Sequence, residues 1–243
     1  MKVPFAAGAL AALAAIGLSA TAVRCAEGPI VPPLAPALVL YNYGSALERV
    51  AHPPNLEFEI SLEQIGPRNI EQTHRIYRHG LSERDEIVSV DGQALTTPAV
   101  RILRDRTYRY DIAAVAPRLH DYVFTFVDVE RKGSRLTYRF KAEPRVPGDF
   151  AVSDIFVDAS YFLPSVVRFR MSANGVRGSG ELVYGRTERY WLIRQAAVSV
   201  HLPNGAIGHE RILWSRYQFP LSLPPSTFAA PHALATDTPA TPP

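Results

Sequence analysis

The chain has 243 residues, 47% of them hydrophobic, with a formal net charge of +3 and one cysteine. That is long enough for one sizeable core, and a lone cysteine excludes an internal disulfide and a four-cysteine metal site. Lysine occurs only at Lys2, Lys132 and Lys141, and the arginines interleave with Glu and Asp along the chain. This distribution argues against the one-faced basic patch that a nucleic-acid partner needs.

The N-terminus reads as a secretory signal peptide over residues 1–22. Met1-Lys2 is its positive end, Phe5 to Leu18 its apolar run, and Ala20-Thr21-Ala22 its small-residue cleavage site. An uncleaved N-terminal anchor is the competing reading. No other segment approaches a membrane span, so the mature chain is expected to lack one and to reside in the periplasm or outside the cell. Arg24 precedes Cys25, which disfavours lipid attachment there. Residues 23–36 form a proline-rich lead-in.

The folded domain is expected over 37–228. Ala37 to Ala51 carries Leu40, Tyr41 or Tyr43, Leu47 and Val50 at helical spacing, with Pro36 at the first turn. Leu56 to Ile65 alternates Leu56, Phe58, Ile60 and Leu62 against Glu57, Glu59, Ser61 and Glu63, the pattern of a strand with one buried face. Strands follow at Ile70 to Arg78 and Leu81 to Val90, closed by Asp91-Gly92. Thr96-Thr97-Pro98 predicts a short helix to about Arg106, and Tyr108 to Val115 a further strand. Asp121 to Glu130 and Arg135 to Glu143 form a predicted hairpin. In Ser165 to Met171, Val167, Phe169 and Met171 face one way, and Arg168 and Arg170 the other. Asn174-Gly175 suits a tight hairpin turn. Arg189 to Leu202 and Ala206 to Phe219 complete the meander across Pro203-Asn204-Gly205. Residues 229–243, rich in Ala, Pro and Thr, read as a disordered tail.

The fold class expected is mainly β (α+β): about ten strands in a single strongly curved antiparallel sheet, an incomplete barrel wrapped around one or two helices.

Catalytic signatures are lacking, and no enzyme activity, cofactor or metal is expected. His74 and His79 fall on opposite faces of one strand by parity. His201 and His209 flank a turn beside Glu210, but without a metalloenzyme spacing. Gly178-Ser179-Gly180 sits in a hairpin rather than a strand-to-helix elbow. Asp85-Glu86 and Glu57-Glu59 are assigned to wet strand faces by parity. Asp158 reads as a strand-end residue. The apolar parity of the strands places Phe58, Ile60, Leu62, Leu136, Tyr138, Phe140, Val167, Phe169 and Met171 inside. They either line an apolar ligand cavity or fill a core.

The chain from Leu38 to Phe228 resembles the outer-membrane lipoprotein-sorting superfamily, the LolA-like, LolB-like and RseB-like periplasmic proteins. The residues that carry the likeness are Val157 to Pro164, Tyr184-Gly185, Tyr190-Trp191-Leu192, Tyr217, and Leu223-Pro224 with Phe228. The resemblance implies a curved antiparallel half-barrel closed by helices, with an apolar cavity for acyl chains and no catalysis. It implies a carrier of lipid or lipoprotein acyl chains, or alternatively an envelope sensor or scaffold with a protein partner. The basic residue that such carriers use near the cavity has no match here. Arg75, Arg78 and Arg84 lie near the corresponding strands, and none is assigned that role.

Overall fold

A computed structural model describes residues 33–66, 69–104, 110–133, 135–173 and 175–229. The predicted leader, most of the lead-in, and all of the predicted tail except Ala229 lie outside these residues, as does Asn174.

Eleven strands form one open antiparallel sheet, in the order β4-β3-β2-β1-β11-β10-β9-β8-β7-β6-β5. The strands are β1 (Asn55–Ile65), β2 (Ile70–His79), β3 (Ser82–Val90), β4 (Gln93–Leu103), β5 (Tyr122–Lys132), β6 (Arg135–Pro144), β7 (Phe150–Asp158), β8 (Pro164–Ala173), β9 (Val176–Thr187), β10 (Tyr190–His201) and β11 (Ile207–Gln218). The order describes two meanders, β1 to β4 and β5 to β11, joined where the first strand pairs with the last. Six of the ten ladders carry a register shift. Such bulges bend and twist the strands that carry them, which fits the curvature expected from the sequence.

The first helix, α1 (Pro36–Glu48), begins with proline in its first turn and buries Val39, Tyr43 and Leu47. Its inward stripe therefore runs through Val39 rather than Leu40, which is only partly buried, and Tyr41 is exposed. The β3–β4 turn needs positive φ at both central residues, and Asp91 (50°) and Gly92 (75°) supply it.

Two predicted elements exchange identity. The expected helix from Pro98 is part of strand β4. There Thr96, Thr97 and Pro98 fall within a bulge, since Ile87 pairs with Ala99 while Ser89 pairs with Ala94. Proline lacks a backbone N–H to donate, and an edge strand with a bulge tolerates it. The strand expected over Tyr108 to Val115 ends in a helix, α2 (Ile112–Val115), where the Asp111 carboxylate accepts from Ala113 N at 2.8 Å. Tyr108 and Arg109 lie outside the described residues.

The connection from β4 to β5 links opposite edges of the sheet and passes over its buried face. Its described part, 110–121, is held there by two tyrosines. Tyr43 Oη donates to Pro117 O at 2.6 Å, and Tyr184 Oη donates to Tyr110 O at 3.2 Å. Ile112 is buried in the same core. Burial raises the hydroxyl pKa of both tyrosines far above the ordinary phenol range, so they stay protonated donors.

Candidate functional site

The nine residues placed inside by strand parity fall into two groups. Leu136, Tyr138, Phe140, Val167 and Phe169 are buried in one cluster with Val39, Tyr43 and Leu47 of α1, and Met171 packs against it. Tyr138 Oη also accepts a hydrogen bond from Leu34 N. Phe58 belongs to the same cluster, with Ile60 and Leu62 packed against it, and these three residues of β1 also line an open cavity of about 490 Å³.

Neighbouring strands complete that cavity. Ile76 of β2, Leu103 of β4, and Ile212 and Trp214 of β11 add apolar surface, and Tyr110 of the crossover closes one side. Tyr110 meets the Trp214 ring edge-on with centroids 4.9 Å apart. The indole of Trp214 is only 4% exposed, and its Nε1 has no hydrogen-bond partner among the described residues.

The polar side of the cavity is organised by register. Asp85 stands opposite Ile76 on one side and Arg101 on the other. It therefore faces inward with Ile76 and is 5% exposed, which corrects the assignment of Asp85 to a wet face. The β2–β3 ladder shifts register between Thr73 and His74, so counting parity along either strand alone misses the pairing. His74 Nδ1 lies 2.7 Å from Asp85 Oδ1, and Arg101 donates to Asp85 Oδ2 at 2.8 Å. Burial pushes the Asp85 carboxyl pKa up. The hydrogen bonds and charges of His74 and Arg101 outweigh burial and hold it below its ordinary value. Glu83 and Glu210 also line the cavity.

A second hollow of about 650 Å³ lies beyond Tyr110, which borders both. It is walled by His52 to Pro54, the β2–β3 turn at Gly80 and Leu81, α2, and the start of β10 at Trp191. Arg78, one of the three arginines to which no role was assigned, lines this hollow and pairs with Glu83 at 3.6 Å. The other two, Arg75 and Arg84, pair with Glu59 and Glu86.

The remaining candidates do not assemble into a reactive or metal site. His79 hydrogen-bonds Asn55 at 2.7 Å. His209 lies 3.0 Å from Ser199 Oγ on an exposed surface, while His201 stands opposite Ile207. No group of three potential metal ligands occurs among the described residues. Ser179 lies within strand β9, opposite Arg170 and Ser199. Asp158 ends β7, as expected, and its carboxylate accepts from Ser160 N and Tyr161 N. Among the described residues no helix is long and apolar enough to cross a membrane. Three parts of the site escaped the sequence reading: the His74–Asp85–Arg101 cluster, Tyr110 and Trp214. The one available signal was the isolated Trp214 on the apolar parity of the last strand.

No family model and no curated protein matches the chain. Among solved structures it is similar to a LolA superfamily protein from Nitrosomonas europaea, at 12% identity and a TM-score of 0.41, covering 82% of this chain and 99% of that one. It is similar to a domain described as an outer membrane lipoprotein-sorting protein from Vibrio parahaemolyticus, at 13% identity and a TM-score of 0.45, covering 78% and 95%. A DUF1329 family protein from Desulfovibrio piger matches at 11% identity and a TM-score of 0.43, covering 81% and 98%.

Proposed function

We propose that this is an exported, non-catalytic binding protein that holds an acyl chain of a lipid or lipoprotein on the inner face of its β1–β4 half-sheet. One observation carries the reading: an open cavity of about 490 Å³ lined by Phe58, Ile60, Leu62, Ile76, Leu103, Ile212 and Trp214. Small-molecule sites span about 300–1,000 Å³ and are mostly apolar with a few placed polar groups. The His74–Asp85–Arg101 cluster is such a polar group. Tyr138, Phe140 and Val167 are fully buried in the core shared with Val39 and Tyr43 of α1, and supply rigidity instead of volume. Export rests on the leader pattern of residues 1–22, and the periplasm or the outside of the cell is the compartment it implies.

Native mass spectrometry of protein recovered from a bacterial periplasm tests this. Co-purified lipid released on denaturation supports the carrier. Delipidated protein that takes up no fluorescent acyl probe refutes it. Ile60→Trp, which projects an indole into the cavity, is expected to lower probe affinity without changing the fold.

A second reading, a protein partner in the same compartment, is favoured by the open edge at β5. Val123 (45% exposed), Phe126 (41%) and Val127 (38%) are solvent-accessible there, and an open strand edge can accept an added strand. A photo-crosslinker at Val127 that captures an envelope protein, with the cavity empty, would favour it.

A further inference from the structure

We propose that the hollow between the end of α1 and the β7–β8 and β9–β10 turns docks an acidic segment of a protein partner. One apolar side chain of that segment sits on the floor of the hollow, between carboxylates held by Arg49, Arg186 and Arg189. The surface shares no lining residue with the acyl cavity and is not part of the β5 edge.

Three elements bring the arginines around a hollow of about 460 Å³. Arg49 is the C-terminal cap of α1, and its Nε donates to Ser45 O at 2.9 Å. Arg186 lies near the end of β9. Its Nε donates to Glu188 O at 2.6 Å and its Nη1 to Tyr161 Oη at 2.8 Å, with the guanidinium 5.3 Å from the Tyr161 ring centroid. Arg189 opens the approach to β10. Its Nη2 donates to Tyr190 Oη at 2.8 Å, and its guanidinium lies 5.0 Å from that ring centroid. Neutral groups thus fix each guanidinium, and five N–H donors apiece leave several for a ligand.

The sign of the charge sets this hollow apart. No carboxylate among the described residues lines it. Eight arginines elsewhere on the sheet each pair with a carboxylate. The acyl cavity and the second hollow mix signs, with Asp85 beside Arg101 and Asp111 beside Arg78. The carboxylates nearest in sequence are Glu48, Asp158 and Glu188. Glu48 and Glu188 are exposed and do not border the hollow. Asp158 is buried and already held by Ser160 N, Tyr161 N and Arg135. Three like charges around low-dielectric walls focus the field and draw in an anion.

The floor decides which anion. Leu163 and Trp191 form it, both buried among exposed arginines. Trp191 is locked by its Nε1 bond to Pro164 O at 2.9 Å and by the Tyr161 ring, 5.3 Å away. A flat lipid surface meets the arginines but cannot reach the floor, and a small inorganic anion leaves the floor uncovered. An apolar side chain projecting from a peptide reaches it, while the flanking carboxylates meet the guanidiniums as charge-assisted pairs. Arginine, tyrosine and tryptophan around a pocket are also the residues that dominate protein interfaces.

Random peptides displayed on phage and selected on protein recovered from the periplasm test this. The selected sequences are expected to carry an apolar residue flanked by Asp or Glu. That consensus is expected to vanish on protein carrying Arg49→Gln, Arg186→Gln and Arg189→Gln together. A fluorescein-labelled synthetic peptide of the consensus is expected to lose up to about fivefold in affinity with each single change, the upper range for one exposed ion pair. High salt should weaken it as well. Ala51→Trp, which narrows the hollow from an exposed position, is expected to block the peptide without disturbing any of the three arginines; it keeps the test open should an arginine variant fail to fold. The absence of an acidic-apolar consensus, or its survival on the triple variant or on Ala51→Trp, overturns the proposal. Equal binding of a peptide whose apolar residue is replaced by serine overturns it too. Phosphatidylglycerol vesicles that bind through the same three arginines, where no peptide does, overturn it in favour of a membrane surface.

Discussion

Replacing Tyr43 by Phe isolates one hydrogen bond that secures the crossover to helix α1. The ring is fully buried and packs edge-on against Phe124 with centroids 6.0 Å apart, a contact that Phe preserves. What disappears is the 2.6 Å bond from Tyr43 Oη to the carbonyl of Pro117. Pro117 is itself among the most buried residues, so its carbonyl would be left dry and unpaired. Removing one partner from such a buried bond costs about 1–3 kcal/mol. For a domain of this size, each kcal/mol moves Tm by about 2–4 °C, so a fall on the order of 5 °C is expected. Urea unfolding should show a lower midpoint with an unchanged m-value, the mark of lost stability without a change in exposed surface. A loss below about 0.5 kcal/mol, within the range of an ordinary surface substitution, would refute the claim that this hydroxyl anchors the crossover.

Other outcomes follow from single contacts. Gly180→Ala should cost about 1–3 kcal/mol by overpacking, because its Cβ would lie 2.6 Å from Phe169 Cζ and 2.7 Å from Ala197 O. Combining it with Phe169→Ala should show coupling in a double-mutant cycle, with incomplete rescue because the Ala197 carbonyl belongs to the neighbouring backbone. Tyr43, Tyr184 and Tyr217 all have pKa values raised by burial above the ordinary 10.0. Their contribution is fully present below about pH 10 and is lost as pH rises beyond it; alkaline titration of stability should show this, less steeply in Tyr43→Phe. Asp85 has the opposite sign: its pKa lies below the ordinary 3.8, so its stabilisation is present above that value and lost as pH falls past it. Acid unfolding of Asp85→Asn should be correspondingly flatter. Asp158→Ala removes the acceptor for Ser160 N and Tyr161 N. It is expected to lower stability by about 1–3 kcal/mol in chemical denaturation.

Strand alternation was legible where one strand could be judged alone. Leu56 and Phe58 are buried as their parity demands, and so are Val167 and Phe169 opposite exposed Arg168 and Arg170. Local signals failed where the environment overrode them. Thr96-Thr97-Pro98 has the chemistry of a helix start, but β3 offers a ladder and the edge position tolerates the proline. Ile112 to Val115 reads as the end of a strand, but the Asp111 cap and the burial of Ile112 beneath the crossover's own path over the sheet make it a helical turn. The cavity was half visible: Phe58, Ile60 and Leu62 were placed inside, yet nothing in their spacing says that they border a cavity while Tyr138 and Phe140 of the same cluster do not. The His74–Asp85–Arg101 cluster was invisible because it needs the registers of three strands, including bulges after Thr73 and after Ile87.

The pairing of the first strand with the last also constrains how the molecule can be made. Ile65 finds its partner at His209 and Glu57 at Gln218, so the β1–β4 hairpins remain without their neighbour until nearly all of the domain is available. A chain shortened before Ile207 would leave β1 and β10 as raw strand edges, the kind of surface that pairs with other chains. Such long-range closure is intrinsically slow. During assembly, the half-sheet that carries the cavity is therefore the part most exposed to misassociation, and a helper that shields the β1 edge would act before β11 docks.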